Sequence, residues 1–327
     1  MQEGKNCLLF GYETYQIAKN TIIMSYSTPI LFLTFKRLDT TKKVFERIRE
    51  QQPSYLFIAS DGPRKGNESD FEDIERVRNY LNSKIDWNCE VKTLYQEENL
   101  GCGIGVNTAI TWFFSHVSQG IILEDDCLPY GDFFNFCEQM LDYYKDNTQV
   151  MEISGTSFKK RNKPGETSYY FSKYGGIWGW ASWARAWKSY DYEMKAYKDF
   201  RDQNAISHVF ESKNQQKYWI KIFDFASTID TWDYQWKFSI WLNKGISIVP
   251  NINLIRNIGF NSDGTHTLVE PTWYKTLTTG DGKLGELVHP KCIVVDVEAD
   301  NFHFKKAFKP PSLLNRAIKR ILKMLFF

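Results

Sequence analysis

Between residues 29 and 126, four short apolar runs alternate with segments of helical period. No other feature restricts the fold as strongly. Residues 29–35 form a β-rich run bounded by polar chain, short enough for a buried strand. Asp39, Thr40 and Thr41 then offer an N-cap, and Val44, Phe45 and Ile48 follow at helical spacing. Residues 55–59 read as a second buried strand, ending in the turn cluster Ser60-Asp61-Gly62-Pro63. Residues 71–81 read as a helix with Ile74, Val77 and Leu81 on one face. Residues 91–95 form a third strand. A glycine-rich turn over 99–105 leads into a helix that runs to Phe114. Residues 120–123 are the fourth strand, and Asp132 caps the next helix. This alternation predicts an α/β fold with an open sheet and right-handed crossovers.

After Met151 the pattern becomes irregular and rich in tryptophan, and only 215–225 and 234–242 read as helices. Aromatic residues reach 16%, which fits either ring stacking on a sugar or a core filled by large rings. Lys plus Arg number 41 against 39 Asp plus Glu, too even a balance to argue for a nucleic-acid partner. The charge is unevenly spread, however. Residues 304–327 hold seven basic residues and no acidic one. In that tail Leu314, Ile318, Ile321, Leu322 and Leu325 share one helical face, opposite Arg316, Lys319, Arg320 and Lys323. A basic amphipathic helix suits an anionic membrane surface, or a terminal helix packed on the body.

The six cysteines form no CxxC pair, which favours free thiols in a reducing compartment. No stretch approaches the ~20 apolar residues that span a bilayer, and no signal peptide is visible. The expectation is a cytoplasmic protein, peripheral at the inner face of the membrane. Residues 1–28 fit the rest poorly, and Met24 offers an alternative start. Three segments are therefore expected: an extension over 1–28, a catalytic domain over 29–303 and the tail over 304–327.

The main chemical signal is Glu124-Asp125-Asp126, directly after the fourth strand. Adjacent carboxylates repel one another, and beside a buried strand that repulsion needs compensation. A divalent cation supplies it, and oxygen ligands favour Mg²⁺ or Mn²⁺ over zinc. A solvated acidic turn is the alternative. The end of a strand in an open α/β sheet is where ligands bind.

A strand ending in Leu-Glu-Asp-Asp resembles the metal-binding signature of nucleotide-sugar glycosyltransferases of the GT-A fold, in the variant of the N-acetylglucosaminyltransferase I-like group. Other pieces fall in the same order: Phe32-Leu33-Thr34-Phe35-Lys36-Arg37, Ser60-Asp61-Gly62, Asn99-x-Gly101, the segment Gly175–Trp180, Trp232-Asp233, and the run from Asn257 to His266. That last run is similar to the ending of bacterial polysaccharide-assembly enzymes. The resemblance covers roughly residues 29–267 and implies an open, mixed, Rossmann-like sheet. It also implies a nucleotide-diphosphate donor, UDP-sugars first, and a glycan or lipid-linked glycan acceptor. Asp126 is implied as ligand to the metal on the diphosphate, and Glu124 and Asp125 as contacts to the ribose or donor sugar. Asp61 would accept from the nucleobase, with Thr34 and Arg37 nearby. Asn99 and Gly101 would let backbone approach the nucleotide. His266 would be a further metal ligand or a diphosphate contact.

Glycosyl transfer must deprotonate an acceptor hydroxyl, and a carboxylate is the usual base. Asp233 stands among Trp232, Tyr234 and Trp236, rings that would raise its pKa or stack on an acceptor sugar. It also reads as the cap of the helix that begins at Tyr234. Asp230 and Asp191 are the reserve candidates. A single base predicts inversion at the anomeric carbon. The competing readings are a sugar nucleotidyltransferase or nucleotide-sugar hydrolase using the same acids, and an inactive carbohydrate-binding protein of the same fold.

Overall fold

The structure, a computed structural model, describes residues 26–158, 167–260, 274 and 282–308. The basic tail beyond Phe308, most of the N-terminal extension, and His266 lie outside the described residues.

The four expected strands form: β1 (Ile30–Thr34), β2 (Tyr55–Ser60), β3 (Glu90–Tyr95) and β4 (Gln119–Glu124). The helices between them are α1 (Leu38–Gln51), α2 (Glu68–Lys84) and α3 (Gly101–His116). The strands pair in parallel, in the order β3-β2-β1-β4. Apolar side chains cover both faces of this half-sheet. Ile30 and Phe32 of β1 pack with α1 and α2, while Leu31 and Leu33 pack with Ile110 and Phe113 of α3. Burial on both faces is why the strands read as continuous apolar runs. The chain winds outward from β1 to β3 and then returns to the other side of β1. The strand order therefore reverses between β1 and β4, and the crevice beyond their C-terminal ends is the binding position of such sheets.

The small strand β5 (Cys127–Pro129) and α4 (Phe133–Tyr143) follow. The sheet continues through β6 (Val150–Ser154), β7 (Tyr169–Ser172), β8 (Trp180–Trp183) and β9 (Ile246–Pro250). It becomes eight strands in the order β3-β2-β1-β4-β8-β6-β9-β7. β8 runs antiparallel to β4, so the whole is a mixed sheet flanked by helices. Short helices α5 (Ala184–Trp187), α6 (Tyr197–Asp202) and α7 (Ile206–Val209) precede α8 (Lys213–Ala226) and α9 (Asp233–Leu242). β10 (Ile255–Asn257) pairs with β5 in a separate two-stranded ladder, and α10 (Val297–His303) closes the described chain with a π turn to Phe308. Among the described residues, no helix is long and apolar enough to cross a membrane.

Two expected caps are corrected. α1 begins at Leu38, before the proposed Asp39–Thr41 cap, and the Thr40 and Thr41 hydroxyls donate instead to the Arg37 carbonyl. Asp132 does precede α4, but its carboxylate accepts from the backbone N–H of Leu284 rather than from the helix. The turns after β1 and β2 are joined through the fully buried Asp70. Its carboxylate accepts from Lys36 Nζ at 2.7 Å and from Arg64 Nε and Nη2 at 2.5 and 2.9 Å. Arg64, then Lys36, hold this carboxyl well below its ordinary range. Its contribution is therefore complete above the unfolded value near ~4 and is lost as pH falls through the lower folded value. Asp70→Asn is expected to cost about 1–3 kcal/mol at pH 7. Urea midpoints of the two proteins should converge as pH drops below ~3.

Candidate active site

The crevice beyond β1 and β4 opens into a cleft of about 520 Å³. Glu124, the last residue of β4, lines it together with Asp126 from the following turn. Arg37, just after β1, reaches across and donates through Nη2 to Asp125 Oδ1 and, at 2.9 Å, to Asp126 Oδ2. Burial works against the guanidinium charge, but Asp125 and Asp126 outweigh it and hold the group above its ordinary range. Burial, then repulsion from Asp126 and Asp125, push Glu124 well above the usual carboxylate range, with Arg37 opposing.

Asp126 is fixed from the other side as well. Its carbonyl accepts from Ile258 N at 2.8 Å, continuing the pairing of β5 with β10. Gly259 then lies so close to the Asp126 carboxylate that a Cβ would overlap it. Asn257, Gly259 and Phe260 join the cleft wall. The run that began as a sequence resemblance therefore packs on the acidic turn at its described end.

Asp233 lines the same cleft. It is the first residue of α9, where it makes no side-chain cap; its carboxylate instead accepts from the Thr231 hydroxyl. The reserve candidates are held elsewhere. Asp230 accepts from Cys102 N and Gly103 N, at 2.8 and 2.6 Å, in the first turn of α3. Asp191 accepts from Glu193 N and Lys195 N within its own turn.

Asp61, Asn99, Gly101, Thr34 and Asp125 do not line this cleft, and their polar groups make hydrogen bonds within the protein. Asp61 accepts from Gly62 N and Leu100 N at 2.9 Å, from Asn99 Nδ2 at 2.9 Å and from Gly101 N at 3.1 Å. Four donors fill its acceptor sites, so it clasps the turn after β2 to the start of α3. Burial raises its pKa, backbone N–H groups oppose this, and Asp230 adds repulsion. Together Asp61 and Asp230 satisfy the N–H groups of Leu100 through Gly103, which a helix start leaves free. Gly101, at φ +79°, abuts the Asp230 carboxylate. Thr34 is buried and donates to the Ala59 carbonyl. Asp125 is 3% exposed and serves as the partner of Arg37.

The aromatic expectation is corrected in part. Trp236 is fully buried and donates through Nε1 to the buried Glu152, while Trp232 stacks on Trp180 with centroids 5.7 Å apart. These rings fill the core between α9 and β8. Of the expected rings, Trp232 and Tyr234 do reach the cleft wall, joined there by Trp178, Phe260, Phe158, Trp219 and Phe308, whereas Trp236 does not. The sequence reading also missed Thr156, Lys237 and His303 on the wall. For Lys237 one signal was present: it stands four residues after Asp233 on the same helix, hence on the same face.

Glu124, Asp126 and Asp233 thus turn three carboxylates to one cleft while Arg37 is already committed to Asp125 and Asp126. Such an excess of negative charge suits a divalent cation held by oxygen. Among the described residues no three His, Cys, Asp or Glu side chains form a protein-only cage.

No family model and no curated protein sequence matches the chain. Among solved structures it is similar to the inositol-1-phosphate CTP transferase of T. maritima, at 10% identity over 68% of this chain and 85% of that one, with a TM-score of 0.35. It is also similar to mouse xyloside xylosyltransferase 1, at 9% identity over 65% and 81%, with a TM-score of 0.32. For HddC of Yersinia pseudotuberculosis the identity is 13% and the TM-score 0.26; the match covers 44% of this chain and only 59% of that one. All three scores lie below 0.5.

Proposed function

We propose that this chain is a metal-dependent, inverting glycosyltransferase that moves a sugar from a nucleotide-diphosphate donor, a UDP-sugar first, to a hydroxyl of a glycan or glycolipid acceptor. The observation that carries this reading is the convergence of Arg37, Glu124, Asp126 and Asp233 on one cleft at the point where the strand order reverses. Asp126 would hold Mn²⁺ or Mg²⁺, with Glu124 beside it. When bound, the cation neutralises charge that develops on the leaving diphosphate. Arg37 orients Asp126 and adds a fixed positive charge at the diphosphate end. Asp233 accepts the proton of the acceptor hydroxyl as that oxygen attacks the anomeric carbon, and Thr231 holds its carboxylate in position. One base and one direct displacement give inversion. The basic segment 304–327 would keep the enzyme at an anionic membrane surface carrying a lipid-linked acceptor.

Asp233 favours this reading over nucleotidyl transfer, in which the attacking sugar phosphate is already an anion and needs no base. The test is a thermal-shift screen of UDP-, GDP-, CMP- and dTDP-sugars with and without Mn²⁺. One donor should stabilise the chain only with Mn²⁺, by about 2.7 kcal/mol at a hundredfold excess over Kd. Asp126→Asn should abolish that gain. Release of nucleotide without any acceptor would favour a hydrolase instead. No shift with any donor would favour a binding protein.

A further inference from the structure

The cleft continues past Asp233 along α9. One turn on, Lys237 lines the wall; it is only 8% exposed. Its Nζ donates to the Gly175 carbonyl at 3.0 Å and pairs with no carboxylate among the described residues. An ammonium has three donors, and burying one without a counter-charge is costly. His303, 4% exposed, lines the same end. Its ring lies between Phe158, centroids 3.7 Å apart, and Phe308, at 5.2 Å, and its Nε2 has no hydrogen-bond partner. Burial, then the nearby Lys237 charge, hold this imidazole well below its ordinary pKa, and a neutral imidazole offers one N–H donor and one acceptor nitrogen.

We infer that Lys237 and His303 form a second subsite in the cleft, one that binds an anionic group of the acceptor. The inference rests on the glycosyl-transfer reading, which supplies the acceptor. Asp233 and Lys237 are four residues apart on one helix face, about 6 Å between Cβ atoms. The acceptor therefore carries its negative charge roughly one sugar ring away from the hydroxyl that Asp233 deprotonates. The chemistry fits the phosphate of a phosphate-linked sugar or the carboxylate of an acidic sugar.

Isothermal titration of the full-length chain in EDTA, with inorganic pyrophosphate and separately with glucuronate, distinguishes these sources by which anion binds more tightly. Lys237→Met should weaken the preferred anion at least tenfold, and Lys237→Arg should restore it to within about threefold. A second measurement needs no variant: saturating anion should slow modification of Lys237 by an amine-reactive reagent, read by mass spectrometry of the wild-type chain. Neither anion binding, unchanged affinity in Lys237→Met, or unprotected Lys237 would each overturn the subsite. Donor binding with Mn²⁺, read on the same variants, separates the two proposals. Lys237→Met keeping its donor while losing the anion supports the subsite. Losing both in step means a collapsed cleft and overturns it.

Discussion

Asp233→Asn should lower sugar transfer by about 10²–10⁴-fold, the range expected for loss of a general base, while Mn²⁺-dependent donor binding stays at the wild-type level. Asparagine keeps the shape of the side chain and an oxygen that still accepts from the Thr231 hydroxyl. It loses only the capacity to take a proton. Asp233 makes no cap for α9, so the substitution removes no helix-start hydrogen bond and should leave the melting midpoint nearly unchanged. Single-turnover transfer at saturating donor and the donor thermal shift, measured side by side, check this. Full transfer in the variant would exclude Asp233 as the base. The reserve acids could not easily replace it, because both oxygens of Asp230 are engaged by α3 and Asp191 by its own turn.

The first half of the fold was legible in the sequence because its strands are buried on both faces and leave unbroken apolar runs. The second half was not, and the reason lies in particular residues. β6 carries Glu152 and Ser154, β7 carries Ser172, β8 carries Ser182 and β9 carries Ser247, each 0–1% exposed. These polar residues interrupt the pattern that marks a strand, and several of their partners lie far along the chain. Glu152 accepts from Trp236, 84 residues away, and Ser172 donates to Asp300, 128 residues away.

The same contrast holds at the site. Glu124 and Asp126 were legible because an acidic turn directly after an apolar strand is costly without a ligand. Asp61 looked similar, yet three of its four donors are backbone N–H groups, two of them some forty residues on, and backbone donors leave no trace in the order of side chains. Lys237 was invisible for the opposite reason. A lysine on a helix reads as solvated until the helix is seen packed, as α9 is, with seven of its ten residues buried.

Gly259→Ala is expected to reduce Mn²⁺-dependent donor affinity on the order of 10²-fold, the cost of misplacing a binding group by about an ångström. A Cβ at this position overlaps the Asp126 carboxylate and comes within 3.0 Å of Arg37 Nη1. The backbone cannot retreat without breaking the 2.8 Å bond from Ile258 N to the Asp126 carbonyl and the pairing of β5 with β10. The carboxylate must rotate instead, and it then gives up its bond to Arg37. Gly259 has no left-handed φ, so alanine strains the site by bulk alone and not through the backbone. Arg256, exposed on β10 three residues before Gly259, provides the control: Arg256→Ala should leave donor affinity within about twofold, since surface changes away from such features cost little. Donor titration of both variants in Mn²⁺, with melting midpoints alongside, tests the point. Wild-type donor affinity in a folded Gly259→Ala protein would mean that the donor is held without Asp126, and the metal–diphosphate reading of the acidic turn would fall with it.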